Sequence, residues 1–422
     1  MKRPLWVPTL HHQGRNVALL STGVLVAQFA TILATPIITR LYSTTAFGAF
    51  AIAMAIVTMF APVSALRFEL SIPLARTLVG AWHALTASLI SIVVTSLTLG
   101  LLLYFTSDSI LLIFNFPDDL KSIHWWIPWT IAASGLFQAL TYWALKLQAV
   151  KTVSAGRAVY GLSSSSTQVG LGVFGFQTHG LIVGELFGRI IACIYLVAHT
   201  GAHCAAYITK TSVRRTLLTF YRFRGFALLA TPSSFVNSVT ATLPVFFLGF
   251  LFGPEIAGLY FLAQRVAGLP NSLLVSSNAQ AFLLEATSSH PLTSLSQTYQ
   301  RTLFTTARFT APLFILIAVS SPFVFPAVFG SAWSLSGIIA SLLTPMLFLQ
   351  LLSGSTIPAL DVVQAHRARF LREIMFLFGT LSVLFTTYIF SFSEVIFIAI
   401  YSAFCSGFYL YSLFWVHSLI KR

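Results

Sequence analysis

The sequence predicts an all-helical protein that crosses a membrane many times, and three observations support this fold class. Hydrophobic residues make up 57% of the 422 residues, and the mean hydropathy is +0.86. Only 8% of the residues are charged, whereas a soluble domain has about 25%. The apolar residues occur in runs of about 20, which is the helix length that crosses a hydrocarbon core. A soluble domain and a disordered chain are therefore excluded.

Polar breaks divide the chain into twelve candidate transmembrane helices. The first apolar run, which follows Arg15, is too long for a signal peptide, so we expect it to remain in the mature protein. The fifth and sixth spans are separated only by the short polar break at 177–180. The predicted spans are residues 16–39, 46–66, 79–104, 125–146, 158–178, 180–200, 225–252, 256–283, 309–329, 336–358, 373–391 and 394–416.

The distribution of basic residues predicts the orientation in the membrane. With the N-terminus in the cytoplasm, 20 of the 24 Lys and Arg residues fall in cytoplasmic segments, in agreement with the positive-inside rule. We therefore expect both termini to be cytoplasmic. The net charge of +14 then mostly reflects topology, and no nucleic-acid partner is expected.

A weak internal repeat indicates two related halves. Residues 46–53 resemble residues 256–263, and the two copies share a glycine, Gly48 and Gly258. Parallel halves with a binding site between them are a common transporter plan. We expect two pseudo-symmetric six-helix lobes around a central cavity. The predicted divisions are an N-terminal lobe over 1–204, a cytoplasmic linker over 205–224 and a C-terminal lobe over 225–422.

Two charged residues, Glu185 and Arg189, lie one helical turn apart in the sixth span. They can form a structural ion pair that neutralises itself. The alternative is that they line a water-filled cavity, because a charge at bilayer depth costs about 2.5–3.5 kcal/mol and is usually functional. On the same helix Gly180, Gly184 and Gly188 recur every four residues, which predicts close packing against a neighbouring helix.

Arg265 lies within the eighth span and has no acidic residue within four positions. We expect it to line a cavity, with a buried ion pair to a distant acid as the alternative. Arg40 ends the first span on the outer side, where it can anchor the helix in the interface. Arg67 and Glu69 close the second span on the cytoplasmic side, where they can be ordinary interfacial charges.

The sequence contains no catalytic constellation and no nucleotide-binding loop. The three cysteines lack the spacing of a zinc site. We therefore expect no cofactor and no metal. Active transport would have to use an ion gradient, H⁺ or Na⁺, or the gradient of the substrate itself.

Several segments resemble the Wzx-type polysaccharide flippases of the multidrug/oligosaccharidyl-lipid/polysaccharide exporter superfamily. The resemblance covers most of the chain and is densest over 16–80 and 225–335. In the first half it is carried by 27–28 (AQ), 35–42 (TPIITRLY), 47–50 (FGAF) and 66–74 (LRFELSIPL). In the second half it is carried by 231–233 (TPS), 243–244 (LP), 251–260 (LFGPEIAGLY), 265–270 (RVAGLP) and 328–333 (VFGSAW).

The resemblance implies two six-helix lobes in a V around a central cavity and transport by alternating access. The substrate would be an undecaprenyl-pyrophosphate-linked oligosaccharide repeat unit, for O-antigen, capsule or exopolysaccharide, moved from the cytoplasmic to the periplasmic leaflet of a bacterial inner membrane. Cavity arginines would bind the diphosphate. Arg40, Arg67 with Glu69, and Arg265 stand on matching motif positions, whereas Glu185 and Arg189 do not.

We therefore predict a transporter and not an enzyme. The predicted substrate-binding residues are Arg40, Arg67, Arg189 and Arg265, and Glu69 and Glu185 are candidates for ion coupling. The expected partners are the lipid-linked oligosaccharide and inner-membrane lipids, with a polysaccharide polymerase and a chain-length regulator as further candidates.

A multidrug/cation antiporter and a membrane-embedded glycosyltransferase or polymerase are the alternative functions. A multidrug/cation antiporter of the same superfamily would favour carboxylates in the cavity, yet only Glu185 lies deep in a span. A membrane-embedded glycosyltransferase or polymerase would need a large outer loop or acidic catalytic residues, which the loop at 105–124 does not supply.

Overall fold

The structure is a computed structural model that describes residues 10–113, 123–209, 211–288, 292–363 and 365–421. All regular secondary structure in these ranges is helical, and no β-strand occurs in them. This confirms the all-helical class. The predicted outer loop at 105–124 begins within the third long helix, which continues to Ile113. Residues 114–122 of this loop lie outside the described residues.

The long helices of the first half overlap the first six predicted spans. Two short 3₁₀ turns, Ala61–Val63 and Phe68–Leu70, and the one-turn helix Ser71–Leu74 connect the second long helix to the third. The fifth begins earlier than predicted. The helices are α1 (Leu10–Leu41), α2 (Thr44–Phe60), α3 (Leu78–Ile113), α4 (Trp126–Lys146), α5 (Val150–Val173) and α6 (Gln177–Ile208).

The second half follows a short amphipathic helix, α7 (Val213–Arg222), which lies in the predicted linker. A π-helical stretch, Phe226–Ala230, leads into the next long helix, and short turns occur at Ser331–Trp333 and Ala359–Val362. The remaining helices are α8 (Thr231–Phe252), α9 (Pro254–Ala267), α10 (Leu269–Ser288), α11 (Leu292–Phe329), α12 (Ser334–Thr356), α13 (His366–Phe390) and α14 (Glu394–Lys421).

The eighth predicted span is two helices rather than one. It divides at Gly268, which follows the last residue of α9 and precedes α10. Pro270 has no backbone N–H, and its ring clashes with the carbonyl of the residue four positions earlier in a continuous helix. The break therefore follows from the Gly268-Leu269-Pro270 sequence, and it places Gln264 and Arg265 in the last turn of α9.

In the described ranges, nine helical segments are long and apolar enough to cross a membrane. The predicted spans at α4, α5 and the divided pair α9 and α10 are not among the nine. The α5 sequence carries Lys151, Arg157 and four consecutive serines, which lower its hydropathy. The multi-pass membrane character is confirmed, whereas the count of twelve spans stays a prediction.

The two halves of the chain meet along α2 and α9, the helices that contain the predicted repeat. A Cβ atom on Gly48 would collide with the carbonyl of Pro254, and one on Gly258 would lie 2.8 Å from the backbone nitrogen of Gly48. The Phe261 ring packs 5.8 Å from that of Phe47, between ring centroids. Because both glycines lack side chains, the two backbones approach closely at this point.

The helices α5 and α6 form another close contact in the first half. A Cβ atom on Gly184 would collide with Gln168, and one on Gly188 would collide with Ser164. The spacing of glycines on α6 therefore has the packing role that the sequence predicts. This contact also holds Ser164 of α5 next to Glu185 of α6.

Candidate functional site

A cavity of about 350 Å³ lies where α1, α2, α5, α6 and α9 meet. We call it the Arg265 cavity. Its wall contains residues from both halves of the chain and mixes aromatic rings with polar side chains. The lining residues are Ala27, Gln28, Thr31, Phe50, Met54, Tyr160, Gly161, Ser164, Glu185, Phe261, Gln264 and Arg265.

Both carboxylate oxygens of Glu185, which lines this cavity, are bound by neighbouring side chains. Arg189 Nη1 lies 2.7 Å from Glu185 Oε1, and the Tyr160 hydroxyl donates to the same oxygen. Ser164 Oγ donates to Oε2 at 2.8 Å. Glu185 is 8% exposed, so these bonds replace the water that the carboxylate would otherwise need.

Arg189 faces Glu185 and does not line the cavity. Its guanidinium also lies over the Tyr160 ring, 5.2 Å from the centroid. The sequence left a structural ion pair and a cavity wall as alternatives for Glu185 and Arg189. The structure combines them: the pair is formed, and its acidic member borders the cavity.

Arg265 reaches the same cavity from α9 without an ion-pair partner. Within the described ranges, no carboxylate oxygen lies within 4 Å of its guanidinium. The residue is only half-buried, and it lines open space. The guanidinium keeps its donors available for a ligand, and it has the fork geometry that binds phosphate or carboxylate through two bonds.

The charged groups around the cavity lie deep in the bundle. Arg265 is eleven residues along α9 from Pro254, and Glu185 is eight residues along α6 from Gln177. At 1.5 Å per residue these positions lie about 16 Å and 12 Å from the helix ends.

Arg67 and Glu69 form a separate cluster at the second 3₁₀ turn, between α2 and α3. Arg67 Nη1 lies 3.5 Å from Glu69 Oε1, and Arg67 Nε donates to Ser234 Oγ of α8 at 2.8 Å. Gln138 Nε2 donates to Glu69 Oε1 at 3.4 Å. Arg67 therefore connects the two halves of the chain and does not line the Arg265 cavity.

The Glu69 carboxylate is less well compensated than that of Glu185. The residue is 0% exposed, and its Oε2 has no hydrogen-bond partner in the described part of the chain. Burial raises the pKa of Glu69 above its usual value of 4.5, although hydrogen bonding and the nearby Arg67 act in the opposite direction. The raised pKa favours the protonated carboxyl.

Two neighbouring residues at this cluster have backbone strain. Leu66 and Arg67 have φ angles of 48° and 59°, in the left-handed region that residues other than glycine rarely adopt. Such strain costs about 1–3 kcal/mol per residue and persists only where surrounding contacts fix the backbone. Here the Ser234 and Glu69 contacts of Arg67 fix it.

Arg40 is not brought into either cluster. It is exposed at the C-terminal end of α1, apart from the Arg265 cavity. Of the four predicted substrate-binding arginines, only Arg265 lines that cavity, and Arg189 is linked to it through Glu185.

A second, larger chamber of about 550 Å³ lies within the second half. We call it the Arg372 chamber. Gln264 lines both this chamber and the Arg265 cavity, so the two spaces adjoin at one side chain. The other lining residues are Asn237, Thr240, Gly268, Asn271, Ser272, Val275, Leu347, Gln350, Gly354, Ile357, Arg369, Arg372, Glu373, Phe376 and Tyr409.

The Arg372 guanidinium is held in this wall by hydroxyl groups. Its Nε donates to Ser412 Oγ at 2.6 Å, and its Nη2 donates to Ser353 Oγ at 3.0 Å. The neighbouring Arg369 instead binds Asp361 through two bonds of 2.9 and 2.8 Å. In the described ranges, no carboxylate lies within ion-pair distance of Arg372.

Amide side chains supply most of the other polar groups. Asn271 Nδ2 donates to Gln350 Oε1 at 2.9 Å, while its Oδ1 has no partner in the described residues. Asn278 Nδ2 donates to Ser355 Oγ at 3.4 Å, so both asparagines form hydrogen bonds from α10 to α12.

Sequence reasoning missed Arg372, Tyr160 and Gln264. The positive-inside rule assigns Arg372 to a cytoplasmic segment, whereas the structure includes it in α13, which begins at His366. Tyr160 and Gln264 are neutral, and only their neighbours in space show that they border a site. The Gln264-Arg265 dipeptide inside an apolar run was the one available signal.

No group of three or more metal-ligating side chains occurs among the residues that the structure describes.

Comparison with known proteins identifies the family. A family model described as "Polysaccharide biosynthesis protein" matches residues 37–338, which is most of the chain. The chain belongs to the polysaccharide biosynthesis protein family. No curated protein sequence matches it at a significant level.

Solved structures agree on the fold. An inward closed conformation of the lipid II flippase MurJ is similar with a TM-score of 0.74 and 15% identity, over 94% of this chain and 87% of that one. An inward-facing multidrug resistance MATE family transporter of the MOP superfamily has a TM-score of 0.61 and 12% identity, over 95% and 93%.

A MOP superfamily transporter from Pyrococcus furiosus is also similar, with a TM-score of 0.53 and 13% identity, over 96% of each chain. The fold of this family member is therefore that of MOP superfamily transporters.

Proposed function

We propose that this protein is a flippase for polyprenyl-diphosphate-linked oligosaccharide repeat units in a bacterial inner membrane. It would use twelve membrane spans in two lobes, with both termini in the cytoplasm. The observation that carries the proposal is Arg265, a guanidinium without an ion-pair partner among the described residues, which lines a cavity between the two halves. Family membership supports a role in polysaccharide biosynthesis.

The physical task is to move a sugar headgroup and a diphosphate through about 30 Å of hydrocarbon. Each unsatisfied polar group or charge in that layer carries a large free-energy cost. A polar cavity with an available cation lowers this cost, because the headgroup exchanges water for protein hydrogen bonds. The lipid tail can stay in the bilayer throughout.

In this proposal Arg265 binds the diphosphate through charge-assisted hydrogen bonds. The Glu185–Arg189 pair keeps the α6 part of the cavity wall polar without adding net charge. A free carboxylate there would repel the diphosphate, and the bonds from Arg189, Tyr160 and Ser164 remove that free charge.

The Arg372 chamber is assigned to the sugars. Sugar hydroxyls are donors and acceptors, and amide side chains match both roles. Asn237, Gln264, Asn271 and Gln350 provide such groups, and the aromatic faces of Phe376 and Tyr409 offer apolar contact. Gln264 lines both spaces, so a diphosphate at Arg265 would place the attached sugar next to the chamber.

A multidrug/cation antiporter is the second candidate, but the charges disfavour it. An organic cation needs an unpaired carboxylate in the cavity. Glu185 is the acid that lines the Arg265 cavity, and it is already bound to Arg189. Glu69, whose carboxylate is incompletely paired, is the better candidate for coupling to H⁺, whereas both Glu185 oxygens are already bound by Arg189, Tyr160 and Ser164.

The deciding experiment uses a strain that lacks the gene. We expect it to accumulate lipid-linked repeat units on the cytoplasmic leaflet and to lose surface polysaccharide, and the wild-type protein should restore both. Surface polysaccharide made at wild-type level in the deletion strain, with no accumulated lipid-linked units, would refute the proposal.

A further inference from the structure

A third space lies at the end of the bundle where α3 begins and α7 packs against it. It is a pocket of about 390 Å³, which we call the Arg215 pocket. Three arginines line it, Arg76 from the segment before α3 and Arg215 and Arg222 from α7. All three are exposed. The described residues that line it include no acidic side chain.

The first turn of α3 forms another part of the wall. Thr77, Val79 and Gly80 line the pocket, and Thr77 Oγ1 accepts a hydrogen bond of 3.1 Å from the Gly80 amide. The first amides of a helix have no partner within the helix, and the helix dipole adds partial positive charge. The long helix α3 therefore adds an anion-binding terminus to the three guanidinium groups.

An unpartnered buried side chain also faces this space. His83 lines the pocket and is 2% exposed. Its Nδ1 lies 3.2 Å from Thr216 Oγ1, and the Thr216 hydroxyl donates to the Ser212 carbonyl. Nδ1 must then donate to Thr216. Nε2 has no partner among the described residues, so one unsatisfied polar atom lies in the wall of the pocket.

The source of the anion follows from the exposed apolar residues of α7. Leu217, Leu218 and Tyr221 are exposed on this helix, between 58% and 67%. A short helix with basic residues and an exposed apolar face lies in the membrane interface. The pocket is thereby placed at headgroup level on the side that the charge distribution assigns to the cytoplasm, where basic pockets between helices bind lipid phosphates.

We propose that the Arg215 pocket binds the phosphate of an anionic phospholipid in the cytoplasmic leaflet. The arginines and the α3 N-terminus bind the phosphate oxygens. The acyl chains lie against Leu217, Leu218 and Tyr221. This site is independent of the Arg265 cavity and of what that cavity transports.

The test measures lipid binding to the full-length protein in detergent by native mass spectrometry. The probes are phosphatidylglycerol, phosphatidylcholine and inorganic phosphate. The pocket variant carries Arg76→Gln, Arg215→Gln and Arg222→Gln. The matched control carries Arg214→Gln, Arg224→Gln and Arg308→Gln, which removes the same charge from exposed arginines outside the pocket.

We expect phosphatidylglycerol to bind the wild type at least about tenfold more tightly than phosphatidylcholine does. The pocket variant should lose this preference, and the control should keep it within about twofold. Equal loss in both variants would show a general charge effect and overturn the proposal. Inorganic phosphate that displaces phosphatidylglycerol at equal concentration would overturn the lipid source, because the acyl contacts would then contribute nothing.

Discussion

Arg265 lines the Arg265 cavity, whereas Arg189 is linked to it through Glu185, and the two arginines differ in what neutralises them. Arg189 is 2.7 Å from the Glu185 carboxylate, one turn earlier on its own helix. Arg265 has no carboxylate within ion-pair distance among the described residues and borders open space. A charge that is satisfied by its own helix supports the fold. A charge that is not satisfied within the protein is available to a ligand.

The largest effect is expected from Arg189→Ala. It removes the main partner of Glu185 and leaves a buried carboxylate uncompensated, which costs about 3–5 kcal/mol. We expect a marked loss of thermal stability in detergent, measured by unfolding of the purified protein. Addition of Glu185→Gln should restore most of the stability. If the double variant is no more stable than Arg189→Ala, the loss does not come from the unpaired carboxylate.

Arg265→Ala should separate function from stability. We expect transport in the complemented deletion strain to fall at least about tenfold, because a charge-assisted bond to phosphate is lost. The unfolding temperature should change little, and Arg265→Lys should restore part of the activity. Full activity of the alanine variant would remove Arg265 from the substrate site. A large stability loss instead would assign it a structural role like that of Arg189.

Gly258→Ala tests whether Arg265 depends on the close contact between the two halves. The added Cβ would lie 2.8 Å from the Gly48 nitrogen, so α9 must shift, at a cost of about 1–3 kcal/mol. Transport should fall, because Arg265 moves with α9. Gly170→Ala is the matched control, since nothing lies within 4 Å of that Cβ position. Equal activities of the two variants would show that the contact is not needed.

The smallest effect concerns Glu69, whose pairing is incomplete. Because burial raises its pKa above 4.5, the folded protein binds this proton more tightly than the unfolded chain does. The stability contribution is therefore greatest in acid and decreases as the pH rises from 4.5 through the raised pKa. Glu69→Gln should remove this dependence in unfolding measured against pH. An unchanged pH profile in the variant would assign the dependence to other groups.

The sequence predicted the helices well because their signals are local. Runs of apolar residues predict where the long helices lie, whereas the eighth predicted span is two helices, because the break at Gly268 and Pro270 lies inside an apolar run. The charged residues within spans were also identifiable. Which of them lie together was not, because Tyr160, Glu185 and Arg265 come from three helices. Arg372 was missed because a basic residue near a cytoplasmic helix end has the same signature as a topology signal.

The contact between Gly48 and Gly258 has a consequence for how such a chain can arise. If the predicted repeat relates the two halves, these equivalent residues, which touch each other, would lie on its pseudo-twofold axis. In a homodimer of one half, this glycine would meet its own copy, and any substitution would place two side chains in the same gap. In a fused chain the two positions can change separately, so one can remain glycine while the other gains a side chain. Duplication followed by fusion therefore permits asymmetry at the axis.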